Sequence, residues 1–188
     1  FIGNQLQTDT SLLEMLSADY TYVNQRLAEH YGIPGVYGNR FRRVTLSSDA
    51  QRGGLLGHGS VMTVTSYPNR TSPVLRGKWV LENLLGAPPP EPPPDIPALE
   101  EERDGEPVSL REAMAQHREN PSCSVCHAPM DPIGFSLQNY DAIGGWRDLN
   151  EGGTPVDASG VLPDGVAFEG RSGLRDLLLD RPDDFVGT

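Results

Sequence analysis

Residues 87–97 read APPPEPPPDIP, and no other stretch limits the fold as strongly. Proline has a locked φ and no N–H, so such a run can enter neither a helix interior nor a central strand. It takes an extended, semi-rigid course of about 3.1 Å per residue. The chain is therefore expected to divide into a helical and irregular N-terminal segment, 1–86, a proline-rich linker, 87–107, and a C-terminal segment, 108–188.

Helix signals lie on both sides of the run. In SLLEMLSADYTYVNQRLAEHYG, Ser11 and Glu14 have the form of a capping box. Leu12, Leu13, Leu16, Tyr20, Val23 and Leu27 recur at helical spacing before Gly32, which predicts one or two packing helices. From Ile33 to Ser66, glycines alternate with β-branched runs such as RRVTL and SVMTVTS, which predicts irregular chain with two short strands. RTSPVLRGKWVLENLLG predicts a well-bounded helix, with Ser72 as N-cap, Pro73 at the first helical position and Gly86 past the end. SLREAMAQHREN opens with a second capping box, Ser109 and Glu112, and sets Leu110, Ala113, Met114 and His117 on one face. Farther on, FSLQNYDAIGGWR predicts one short helix, DASGVLPDGVAFEG a turn-rich stretch, and RSGLRDLLLDRP a last short helix. The expected class is mainly α with long irregular loops.

Composition narrows the partners. Glycine and proline supply 38 of 188 residues and apolar types 37%, so turns and loops hold much of the backbone. A net charge of −11 argues against nucleic acid, whose phosphates require clustered Lys and Arg. No apolar run reaches the roughly 18 residues of a spanning helix, so no transmembrane segment is expected in this chain. The chain opens on Phe1 without a Met and stops at RPDDFVGT, as a piece cut from a longer polypeptide would.

The only two cysteines fall in NPSCSVCHAPMDPIGF, residues 120–135, as Cys123 and Cys126, with His127 next. A structural zinc site needs four ligands and would have to recruit His30, His58 or His117 from a distance. A thioredoxin-like dithiol calls for a βαβ context that these Pro- and Gly-rich surroundings lack. C-x-x-C-H as a haem c attachment sequence uses all three residues and asks for no others. Two thiols at this spacing add to the two vinyl groups of one porphyrin, and the next imidazole faces the iron.

The blocks CSVCHAPMDPIGFSLQNYDAIGGWR, TSYPNRTSPVLRGKWVLENLLGAPPPEPPP and VDASGVLPDGVAFEG resemble the planctomycete-type cytochrome c proteins, large secreted multidomain chains of uncharacterised function. The resemblance implies that residues 1 to about 45 are the tail of one family domain. It makes residues 46 to about 150 the haem-bearing domain, with the start of a further domain beyond. It implies a small c-type cytochrome-like haem domain, preceded by a helical segment and the polyproline linker. The family's functional residues carry over only at Cys123, Cys126 and His127.

With His127 on one side of iron, the residue on the other side decides the chemistry. Met130 is too close in sequence to reach across, and Met114 and Met15 fall on helix faces as plain core. Met62, in GHGSVMTVTS, is the expected second metal ligand, with His58 four residues before it. Arg70 and Arg76 bracket TSPVL and are candidates for pairing with haem propionates. Trp146 and Arg147 are candidates for the haem edge. Asp148, Asn150, Glu151, Asp157 and Asp164 offer oxygen ligands that suit calcium. Their spacing lacks the Glu-terminated twelve-residue loop, which favours solvated Asx turns.

The expected function is a c-type cytochrome module with one haem c per chain. It would transfer electrons to or from a redox partner protein or other domains of the parent chain, in the periplasm or otherwise outside the cytoplasm. The alternatives are a haem c enzyme, peroxidase- or oxygenase-like, with an exchangeable sixth ligand and His58 as distal acid-base group, or a haem-bearing scaffold subunit.

Overall fold

The computed structural model describes residues 1–47, 50–92, 102–103, 106–107, 109–150 and 153–187. Helices α1 (Ile2–Gln7) and α2 (Glu14–Ser17) are short. The capping box expected at Ser11 does not close: its hydroxyl accepts the Leu13 N–H at 3.3 Å, and Leu13 is the N-cap of α2. The next apolar positions leave the helical path. Tyr20–Val23 form strand β1, as β-branched and aromatic residues favour. Helix α3 (Gln25–His30) starts where Asn24 accepts the Leu27 N–H at 3.0 Å. Strand β2 (Arg42–Thr45) returns antiparallel to β1, with Tyr20 opposite Thr45 and Val23 opposite Arg42.

SVMTVTS, expected as a strand, instead gives helix α4 (Gly59–Val64). It is followed by a two-residue hairpin of β3 (Ser66–Tyr67) and β4 (Arg70–Thr71). Here burial overrides propensity, because Val61 and Met62 fall side by side into the core. Helix α5 (Pro73–Leu84) starts and stops where its signals lie: Ser72 accepts the Leu75 N–H at 3.2 Å, and Gly86 takes φ +56°. Residues 93–101 of the proline run lie outside the described residues. Strands β5 (Glu102–Arg103) and β6 (Glu106–Pro107) then pair antiparallel.

Helix α6 (Leu110–His117) carries the complete capping box. Ser109 accepts the Glu112 N–H at 3.2 Å, and Glu112 accepts the Ser109 N–H at 3.0 Å. Helix α7 (Pro121–Phe135) follows and holds Pro129 and Pro132 in its interior. Residues 136–147 form turns rather than the expected helix, since Asp141 Oδ1 accepts the N–H groups of Ile143 and Gly145 at 2.9 and 2.7 Å. A hairpin of β7 (Ser159–Val161) and β8 (Ala167–Glu169) leads into α8 (Gly170–Leu179) and α9 (Pro182–Val186).

The main core draws on the whole chain. Leu16, Leu56 and Met62 meet Val80 and Leu84 of α5, Ile133 of α7, and Leu174 and Leu178 of α8. A smaller cluster of Val23, Ala28 and Val36 lies under α3. Helices α5 and α7 cross at backbone contact. A Cβ on Gly77 would overlap the Met130 carbonyl, and one on Gly134 would overlap the Pro73 carbonyl. No described helix is long and apolar enough to cross a membrane.

Candidate functional site

Helix α7 turns the cysteine sequence into a stripe. Residues three and four apart share one helix face, so Cys123, Cys126 and His127 stand on one side, with Asp131 one turn beyond His127. Both thiols are free and half-buried. Cys126 Sγ lies 3.9 Å from the Pro90 carbonyl, so the start of the proline run passes beside the thiols.

His127 is held on one of its two nitrogens. Its Nδ1–H donates to Asp131 Oδ1 at 2.8 Å, which leaves Nε2 as the nitrogen with a lone pair for a metal. Asp131 is fully buried, and its other oxygen accepts from Arg118 Nη1, also at 2.8 Å. A buried carboxylate is costly unless paired, and here each oxygen has a cationic or N–H partner. The His117 ring stands edge-to-face against His127, with centroids 4.9 Å apart. Burial, then the neighbouring His127, pulls the His117 pKa below its usual value.

The other sequence candidates have partners of their own. Met62 is fully buried in the main core and packs by Gly144, a position that core packing accounts for without iron. Arg76 is 1% exposed. Its Nη1 donates to the Leu137 and Tyr140 carbonyls at 2.6 and 2.8 Å, and its Nη2 to the Asp141 carbonyl at 2.8 Å and Ser66 Oγ at 3.3 Å. The donors that a propionate would need are thus turned to the carbonyls after α7. That clasp lies past the C-terminal end of α7, on the turns from Leu137 to Asp141. Arg70 is exposed and stacks over Tyr67 at 5.2 Å.

Trp146 donates to Asp148 Oδ1 at 3.0 Å and meets Tyr140 edge-on, while Arg147 bridges Gln138 and Thr71. His58 packs on the Phe1 ring at 4.7 Å and shares a small recess with Tyr20, Tyr31 and Arg52. None of these neighbours belongs to α7. The acidic loop resolves into local pairings: Asp157 with Ser159 and Arg111, Asp164 with Val166 N–H and Arg181, and Asn150 with Thr154. Glu151 lies outside the described residues. Among the described residues no group of three or more His, Cys, Asp and Glu side chains gathers as a metal ion would need.

Asp131 is the residue that sequence reading passed over. The signal was present as His127 and Asp131 four apart, but it has meaning only on a helix, and Pro129 between them hid the helix.

Two family models match the chain. One, described as PSCyt3, a protein of unknown function (DUF1588), matches residues 52–150; the other, described as PSD4, a protein of unknown function (DUF1592), matches residues 1–33. The first covers more than half of the sequence, and the chain belongs to that family of planctomycete cytochrome c-type, uncharacterised domains. Its matched range includes the proline run and the cysteine sequence. No curated protein matches the chain. No solved structure matches it either.

Proposed function

We propose that this chain is a c-type cytochrome module, with one haem c bound through Cys123 and Cys126 and with His127 as the iron ligand. The observation that carries this reading is the stripe on α7: two free thiols one turn apart, beside an imidazole whose Nδ1–H is already engaged by Asp131. That donor set suits haem c, which needs two thiols and one lone pair on the same side. In attachment each thiol adds across a vinyl group. The sulfur bonds one carbon and its hydrogen passes to the other, so no net electrons are exchanged. When bound, haem c supplies one-electron exchange between ferric and ferrous iron.

The protein's residues do the remaining work. His127 orients through Asp131, Cys126 sits against Pro90 at the edge of the linker, and the α5–α7 crossing fixes the helix at Met130 and Gly134. The module would exchange electrons with a redox protein or with other domains of the parent chain, outside the cytoplasm, where haem attachment is carried out. Production with a haem-attachment system, followed by a pyridine haemochrome spectrum, tests the reading. We expect the spectrum of a thioether-linked haem in the parent chain. Retention of only non-covalent haem, or none, overturns the proposal, as would covalent haem persisting in a Cys123→Ala, Cys126→Ala double variant. Rapid, tight binding of cyanide or carbon monoxide would move the function from carrier to enzyme.

A further inference from the structure

We propose that Asp131 is a positioning residue that acts through His127 to lower the reduction potential of the haem, with Arg118 limiting how far. The inference rests on the haem reading above and concerns how that site is tuned.

An imidazole that ligates a metal through Nε2 needs a partner for its Nδ1–H, and the partner fixes the tautomer, the ring's orientation and the basicity of the ligand. A neutral carbonyl accepts weakly; a carboxylate accepts strongly and draws the proton toward itself. Here the acceptor is Asp131 Oδ1 at 2.8 Å, on a side chain with no exposed surface. In such a setting the bond is little screened by water. More electron density on His127 favours the more highly charged ferric form, so the potential falls.

Arg118 stands on the opposite oxygen at 2.8 Å, with its side chain 28% exposed. It pairs with the carboxylate in the apolar interior and withdraws part of its charge from Oδ1. The groups around the pair are thus Arg118 from the end of α6 and His117 from the same helix, edge-on to His127. The stripe itself contributes no second carboxylate. Helical spacing alone sets His127 and Asp131 on one face, and burial of Asp131 removes the freedom to swing away.

The test uses the full chain loaded with haem, titrated with dithionite as the electron donor in the presence of mediator dyes of known potential, while the ferrous fraction is followed spectroscopically. Asp131→Asn keeps the shape and an acceptor oxygen but removes the charge. It should leave the haem attached and shift the equilibrium toward ferrous by tenfold or more, a rise of about 59 mV per tenfold for one electron. Arg118→Gln should shift it the opposite way, by about threefold or more, and Asp131→Glu should restore most of the parent's value. Glu119→Gln removes an exposed charge next to Arg118 and should move the equilibrium less than twofold. An Asp131→Asn protein with attached haem and an equilibrium within twofold of the parent overturns the proposal. So do Asp131→Asn and Arg118→Gln shifts in the same direction. If Asp131→Asn fails to fold, the sign of the Arg118→Gln shift decides. A parent chain without covalent haem would instead overturn the haem reading, which the pyridine haemochrome spectrum shows before any titration.

Discussion

Two side chains, the half-buried His58 imidazole and the buried Arg76 guanidinium, show how single residues hold this molecule, and each carries a prediction. His58 has its pKa pushed down to about 4, by burial first and also by the nearby Arg52 cation. Its Nε2 has no hydrogen-bond partner among the described residues. The unfolded chain binds a proton near pH 6.5 and the folded chain only near pH 4, so stability is full above about pH 6.5 and falls as the pH drops through that window. The loss should approach about 3 kcal/mol at pH 4 from this residue, and urea titrations of parent and His58→Gln at pH 7 and pH 4 should diverge accordingly. Arg76 acts in the other sense, as a cation that closes the chain after α7 by donating to three carbonyls. Arg76→Met fills the volume but strands those acceptors, and should lower stability by about 3 kcal/mol or more in the same titration.

At the scale of elements, α7 does two things at once, and its sequence looks unsuited to either. Interior prolines cost a free helix about 3 kcal/mol each, yet Pro129 and Pro132 are tolerated because Gly77 and Gly134 let α5 and α7 touch along their backbones. An alanine at either glycine would meet a carbonyl rather than a movable side chain. Gly77→Ala and Gly134→Ala should each cost roughly 3 kcal/mol, at the upper end for overpacking, and calorimetry on the haem-loaded protein would show it as a lowered Tm. The crossing also explains what could be read beforehand. The caps at Ser72 and Ser109 were legible because they depend on residues within one turn. Helix α7, strand β1 and helix α4 were not, because tertiary packing overrode the prolines of the first, the helical spacing around the second and the β-branched residues of the third. The site follows the same rule: Cys123, Cys126 and His127 are set by spacing alone, whereas Asp131 and Arg118 become partners only once α6 and α7 exist. Met62 and Arg76 mark the limit of spacing, since sequence cannot separate a buried packing role from a buried ligating one.

At the scale of the whole molecule, the proline run separates the chain in sequence but not in the core. Val80 and Leu84, before the run, share one apolar cluster with Met130, Ile133 and Leu137 after it, and with Leu174 and Leu178 near the end. The face of α7 that carries Cys126, Met130 and Ile133 needs this shared core for its cover. The proposed haem attachment, by contrast, would need only the local stripe, since Cys123, Cys126 and His127 come from one helix. These two requirements part company in a fragment. Residues 108–188, produced alone with the haem-attachment system, should still acquire covalent haem. They should lack a cooperative thermal transition and fixed near-ultraviolet dichroism, because α5 no longer covers Ile133 and Gly134 and the Arg76 clasp is missing. Adding residues 1–92 as a separate chain should restore both signals at micromolar concentration, through the apolar area that rejoins the core. A fragment that melts as sharply as the full chain would show that the haem segment has a core of its own, and that α5 merely leans against it.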